Sequence, residues 1–309
     1  MKLRAVIWGF FMLMSPAYSL RLVSMNCLVM LRQGPTEKNT ENHEREAALV
    51  GYYPDDYQFG EERDLMIYLH GFGSKPENYG NSGLGAALEK ERLGKGIREP
   101  ITLSISLGPL VLAGSLDHKA GGAFFVNPLL YWDAILNFIN QKNLNIKNVF
   151  MMANSGGAFS GFQMLRHQPE SLRVKAAMFH VLPTIRTSAR RKGLLPLTKD
   201  IISYDHPGVA LRAQFEEKLA VIIKDEHFSK INMSSIENIK SFPPWTAVLI
   251  QDGQYDAFRY IDENVKLVKK AQLLGFRFYH HTLPEGGHFA PFDHDLALNF
   301  FQAMGNISN

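Results

Sequence analysis

Short uninterrupted apolar runs alternate along this chain with stretches whose apolar residues recur every three or four positions. Leu65-Met66-Ile67-Tyr68-Leu69 runs into His70-Gly71, and Asn148 to Ala153 runs into Asn154-Ser155-Gly156-Gly157. Thr246 to Ile250 runs into Gln251-Asp252-Gly253. A strand without polar alternation must bury both faces, as happens in a parallel sheet covered by helices on each side. Ile101 to Leu107, Val174 to Val181 and Phe276 to Leu283 are weaker strand candidates. Between them, Asn127-Pro128 reads as an N-cap followed by proline at the first helical position, with Tyr131, Ala134, Ile135 and Phe138 on one face. Tyr260 to Leu274 puts Ile261, Val265 and Val268 on one side and ends before Gly275, a C-cap residue. Ala158 to His167 and Asp295 to Met304 are further helical segments, the latter followed by Gly305.

This alternation predicts one doubly wound α/β domain. Leu182 to Pro244 interrupts it, separating two strand candidates by more than a crossover helix requires. The block holds Arg186, Arg190, Arg191 and Lys192, then a helix-like stretch from Gly208 to Asp225, then Pro243-Pro244. It reads as a helical cap inserted at about residues 183–243, over one end of the sheet. Its basic cluster is either ordinary solvated surface or an attractor for an anionic substrate.

The first residues follow another logic. Lys2 and Arg4 precede an apolar run from Ala5 to Met14, Pro16 breaks it, and Ala17-Tyr18-Ser19 supplies the small residues a signal peptidase accepts. The run is about half the roughly 20 residues that span a bilayer. The expectation is a signal peptide over 1–19, cleavage after Ser19, and a single exported domain over 20–309 without a membrane anchor, either periplasmic or secreted.

Composition narrows the chemistry. The 309 residues are 46% hydrophobic and 20% charged, which is globular, and 33 Lys+Arg against 30 Asp+Glu give a net charge of +3. Nothing in that balance argues for nucleic acid. Cys27 is the single cysteine, so neither an internal disulfide nor a thiolate metal site of the Cys-x-x-Cys kind is available.

The sharpest chemical feature is Ala153-Asn154-Ser155-Gly156-Gly157, between a buried strand and a helix. A serine on a tight strand-to-helix turn needs small residues two positions either side, which Ala153 and Gly157 are, and the turn lifts its hydroxyl off the sheet edge. Such a hydroxyl needs a base, and the base an orienting acid. Asp256 follows one strand in Gly253-Gln254-Tyr255-Asp256, and His288 follows the last in Glu285-Gly286-Gly287-His288. Asp252 is a rival acid but lies nearer the strand end, where capping a turn is its expected role. His280 and His281, rivals as the base, fall inside a strand candidate, and His294 at the start of the last helix; His288 is favoured because it sits in the Gly-rich loop that a mobile base needs. The backbone N–H groups of Phe72, in His70-Gly71-Phe72-Gly73, and Gly156 are placed to receive an oxyanion. His70 reads as a structural hydrogen-bonding residue behind that loop, and Asp293-His294-Asp295 as a helix start rather than a metal site.

In these motifs the chain, from about Leu65 onward, resembles the α/β-hydrolase fold family, including its secreted esterases, polyester depolymerases and dipeptidyl-peptidase-like branch. The resemblance implies an eight-stranded, mostly parallel sheet, with Ser155 as nucleophile, His288 as general base, Asp256 as its acid, and Phe72 and Gly156 as oxyanion donors. Ala153 stands where the family pattern has glycine. The expected activity is hydrolysis of a small-molecule or polymeric carboxylic ester through an acyl-enzyme, with no metal or organic cofactor. A peptidase or amidase would use the same residues. A binding protein on the same scaffold is the reading from another class, and an intact triad argues against it.

Overall fold

The reason for the apolar runs is visible in where their side chains go. In the computed structural model, which describes residues 21–31, 43–71, 94–107, 128–183, 196–213 and 239–306 together with positions 79, 88, 90 and 92, eight strands form one sheet. They are β1 (Arg21–Leu31), β2 (His43–Tyr53), β3 (Glu62–Leu69), β4 (Ile101–Leu107), β5 (Asn145–Asn154), β6 (Val174–His180), β7 (Ala247–Gly253) and β8 (Phe278–Leu283). Their order across the sheet is β1-β2-β4-β3-β5-β6-β7-β8. β2 runs antiparallel to both its neighbours, and every pairing from β4 to β8 is parallel.

Successive residues of a strand point to opposite faces. On one side Leu65, Ile67 and Leu69 of β3 join Val149, Met151 and Ala153 of β5, under Tyr131, Ile135 and Phe138 of α1 (Pro128–Gln141) and Phe162 and Leu165 of α2 (Gly156–Arg166). On the other side Met66, Tyr68, Phe150 and Met152 pack with Tyr79 and with Leu298 and Phe301 of α6 (His294–Gly305). Both faces of the central strands are dry, so the sequence there carries no polar alternation. Phe162 is fully buried where four aromatic rings meet, with centroids 5.9 Å from Phe179, 5.1 Å from Phe242 and 6.3 Å from Phe278.

Several boundaries differ from the expectation, each for a physical reason. β7 continues three residues past Ile250 because the polar Gln251 and Asp252 are fully buried with partners. The Gln251 amide oxygen accepts from Asp293 N at 3.1 Å. β6 stops at His180 because Val181 turns to φ 47. The residues of α5 (Ile261–Leu273) that meet the core are Asn264, Leu267, Val268 and Ala271. Ile261 and Val265, expected on that face, are only half-buried, since the polar Asn264 takes the inner position. Gly305 closes α6 rather than following it. β1 and β2, which the apolar pattern did not reveal, extend the sheet well upstream of Leu65.

Within the 183–243 block, α3 (Lys199–Tyr204) and helical residues 206–213, here α4, are described. Arg186, Arg190, Arg191 and Lys192 lie outside the described residues, as do Phe72 and the leader 1–19. Among the described residues no helix is long and apolar enough to cross a membrane.

Phe162→Ala should lower the free energy of unfolding by about 3–5 kcal/mol, the usual cost of emptying a tightly packed aromatic site. Urea denaturation measures it. A loss under about 1 kcal/mol would mean that these rings do not close the core on that side of the sheet.

Candidate active site

Parallel strands deliver their C-terminal ends to one edge, and ligand sites of such sheets collect there. At that edge β5 passes into α2 through Ser155, whose backbone sits at φ 47 and ψ −118. This conformation costs a non-glycine residue on the order of 1–3 kcal/mol and persists only where the surroundings enforce it. Three contacts enforce it. Ser155 N–H donates to the carbonyl of His180 at 2.9 Å, continuing the β5–β6 ladder past the end of the strands. Gly157 lies so close to β3 that a Cβ would stand 2.3 Å from the His70 carbonyl oxygen and 2.4 Å from that of Leu69. Gly71 approaches from the side, its Cβ position 3.6 Å from the Cβ of Ser155. Ala153, fully buried, completes the small flanks of the turn.

His288 reaches this turn from the loop after β8. Its Nε2 lies 3.2 Å from Ser155 Oγ, and its Nδ1 lies 2.8 Å from Asp256 Oδ1 in the loop after β7. A carboxylate only accepts, so the proton sits on Nδ1 and Nε2 is left with its lone pair facing the hydroxyl. Asp256 and His288 are both buried. Asp256 Oδ1 also accepts from Phe258 N at 3.2 Å, which orients the carboxylate. The imidazole is walled by Phe258, at a centroid distance of 4.5 Å, and by Phe289 edge-on at 5.2 Å. The two loops are tied to each other, since Tyr255 N donates to the Gly286 carbonyl at 2.8 Å.

Asp252 is engaged elsewhere. It accepts from Asn264 Nδ2 at 3.0 Å on both oxygens and from His280 Nε2 at 2.9 Å. It therefore anchors α5 and β8 to β7 rather than capping a turn. Burial raises its pKa, against the opposing hydrogen bonds from His280 and Asn264. His280 and His281 lie in β8, and His294 is the first residue of α6. Asp293 caps that helix, accepting from Leu296 N at 2.9 Å. His70 donates from Nδ1 to the Gly71 carbonyl at 2.8 Å and is buried. Gly156 is the first residue of α2, where backbone N–H groups have no intrahelical acceptor.

Two residues of this edge carried no sequence signal strong enough to mark them. Asp205, just before α4, sends its carboxylate between the Asp256 and His288 loops, accepting from Ala257 N at 2.9 Å and His288 N at 3.0 Å. His180 ends β6 beneath the turn, its ring 4.7 Å from that of Phe292. Burial above all pushes its pKa down to about 4, and the nearby His288 acts in the same sense while Asp256 opposes it. An aspartate before a helix and a histidine ending an apolar run have too many ordinary explanations in a sequence.

No family model matches this sequence, and no curated protein does. Among solved structures, the chain is similar to a fungal esterase from Rhizomucor miehei, with 14% identity, a TM-score of 0.57, and coverage of 93% of this chain and 83% of that one. It is similar to an acylaminoacyl peptidase from Pyrococcus horikoshii, with 11% identity and a TM-score of 0.57 over 93% of this chain, but it spans only 43% of that protein. It is also similar to a ferulic acid esterase, with 13% identity and a TM-score of 0.53 over 93% of this chain and 97% of that one. At these identities the likeness is one of fold.

The buried neutral imidazole of His180 makes a pH prediction. Its folded pKa lies below the unfolded value of 6.5, so the unfolded chain binds the extra proton between those values. Its contribution is complete above pH 6.5 and is lost as pH falls toward about 4. Relative to His180→Asn, wild type should lose up to about 3 kcal/mol of unfolding free energy between pH 7 and pH 4. Parallel stability curves for the two proteins would show that the ring is not held neutral.

Proposed function

We propose that this chain, an α/β-hydrolase by fold, is a serine hydrolase that cleaves a carboxylic ester through an acyl-enzyme. The observation that carries the reading is the hydrogen-bonded line Ser155 Oγ to His288 Nε2 to Asp256, starting on the strained turn at Ser155. Ser155 attacks the ester carbonyl while His288 takes its proton, and Asp256 stabilises the imidazolium and holds the tautomer. The C–O bond to the leaving alcohol then breaks as His288 returns the proton. Water, activated by the same base, attacks the acyl-enzyme and frees the acid. The Gly156 N–H, at the positive end of the α2 dipole, together with that of Phe72, receives the oxyanion.

Preference for an ester rather than an amide rests on extent. The esterases that the chain resembles are matched over 83% and 97% of their length, the peptidase over less than half of its own. A peptidase or amidase remains the second reading, since it uses the same three residues. Against a binding protein on this scaffold stands the aligned line of donors and acceptors, which binding alone does not require. We further propose that residues 1–19 are an export signal cleaved after Ser19. The first strand begins at Arg21, so cleavage there leaves the sheet whole. The block over about 183–243 is proposed as a cap above the site.

Wild type should be labelled by a fluorophosphonate at Ser155, and Ser155→Ala should lose both labelling and essentially all hydrolysis of p-nitrophenyl esters. A variant retaining more than a small percentage of wild-type kcat would place the nucleophile elsewhere.

Asp256→Asn, which favours the wrong tautomer of His288, should lower kcat by roughly 10⁴-fold. Asp252→Asn should cost far less in kcat and more in thermal stability, because that carboxylate bonds only to structural neighbours. The reverse ranking, read from kcat and Tm of the two variants, would exchange the two roles.

A further inference from the structure

The Asp256 and His288 loops must keep their relative position to a fraction of an ångström for the line from Ser155 to hold, yet they leave two different strands. Segment 196–213, which the sequence marks only as part of an insertion, touches both. The Tyr204 ring lies 4.5 Å from that of Tyr255, and its hydroxyl donates to the Glu285 carbonyl. Arg212 Nη1, buried, donates to the Ala257 carbonyl at 2.6 Å. Between these stands Asp205, 4% exposed. Its Oδ2 accepts from Ala257 N at 2.9 Å and from His288 N at 3.0 Å, and its Oδ1 accepts from Gly208 N at 3.2 Å. The residue after the acid and the base itself thus share one oxygen atom.

We propose that Asp205 is a positioning residue of the hydrolase, whose carboxylate sets the distance between acid and base by binding both of their loops at once. The proposal rests on the triad reading above. Three features support it beyond the bonds themselves. Gly287 has no room for a side chain, since a Cβ would lie 2.6 Å from Asp205 Oδ1, so the loop of His288 is shaped around this carboxylate. The acid loop is held through both backbone polar groups of one residue: the Ala257 N–H donates to Asp205, and the Ala257 carbonyl accepts from Arg212. Each of the three N–H groups bound by Asp205 is a buried donor that would lose its partner with the carboxylate, and such donors are strong determinants of loop position. Segment 196–213 then has a task of its own, which is to brace two of the three residues assigned to the chemistry.

The test uses the full chain: competent sites are counted by stoichiometric fluorophosphonate labelling of one aliquot, and p-nitrophenyl butyrate hydrolysis is measured on a parallel, unlabelled aliquot. Asp205→Ala removes all three acceptor bonds. Asp205→Asn keeps the shape and one acceptor oxygen but turns an amide N–H₂ toward a backbone N–H. Because a misplacement of about 1 Å can cost 10²-fold, kcat per labelled site should fall about 30-fold or more in the alanine variant and about 3- to 10-fold in the asparagine variant. KM should stay within about 3-fold of wild type, since Asp205 does not reach the substrate. A role confined to folding would lower the number of labelled sites and leave kcat per site unchanged, which overturns the proposal, as does a rise in KM alone. Should the alanine variant not fold, the asparagine variant decides, and wild-type kcat per site in it is equally fatal. Failure of wild type itself to label at Ser155 overturns the triad reading and this proposal together. Normal wild-type labelling with unaffected variants overturns the assignment of Asp205 alone.

Discussion

A close backbone approach governs the active edge: the first turn of α2 lies directly on the last peptides of β3. Only a residue without a Cβ fits at position 157, because the carbonyl oxygens of Leu69 and His70 occupy the space. With α2 held there, the chain has one residue in which to reverse from strand to helix, and Ser155 takes the strained backbone. The hydrogen bond from its N–H to His180 keeps that conformation by extending the sheet beyond its formal end. The hydroxyl then projects from the edge instead of packing beneath it. Everything that faces Ser155, from the His288 imidazole to the N-terminus of α2, is placed relative to this contact.

The site also shows how two buried aspartates four residues apart acquire different work. Asp252 still belongs to β7, so its side chain meets the neighbouring strand and the helix above it, where Asn264 and His280 satisfy it. Asp256 has left the strand and faces His288 across the gap between two loops. Burying a carboxylate is costly unless its oxygens find donors. Asp252 finds them for both oxygens in a structural network, and Asp256 finds them for Oδ1 in Phe258 N and in the residue type best suited to exchange protons near neutral pH. A third buried carboxylate, Asp205, binds backbone N–H groups instead and so acts on loop position.

Similarity to esterases and a peptidase at 11–14% identity means that few residues are shared beyond what the architecture demands. What the fold demands is a dry sheet covered on both faces and small residues at one turn. The proposed reaction demands three side chains on three connecting segments. Neither requirement constrains the surface, which is where substrate preference resides.

The sequence alone determined the parts whose physics is local. A buried parallel strand must be apolar throughout, so β3, β5 and β7 were legible, and β4 matched its expected span, Ile101 to Leu107. A serine between small residues after such a strand leaves little choice but a tight turn. The loop positions of Asp256 and His288 followed from where strands had to end. Tertiary structure decided the rest. β1 and β2 were hidden because residues such as His43, Glu44, Arg45 and Glu46 break the apolar pattern of β2, while pairing with the rest of the sheet supplies its backbone bonds. The inner face of α5 was misjudged because a polar residue, Asn264, is buried to satisfy Asp252, and burial of a polar group depends on a partner that periodicity cannot show. Asp205 lay beyond sequence reasoning for the same reason. Its two partners in the acid and base loops are 52 and 83 residues away, and only the folded chain brings their backbone N–H groups to one carboxylate.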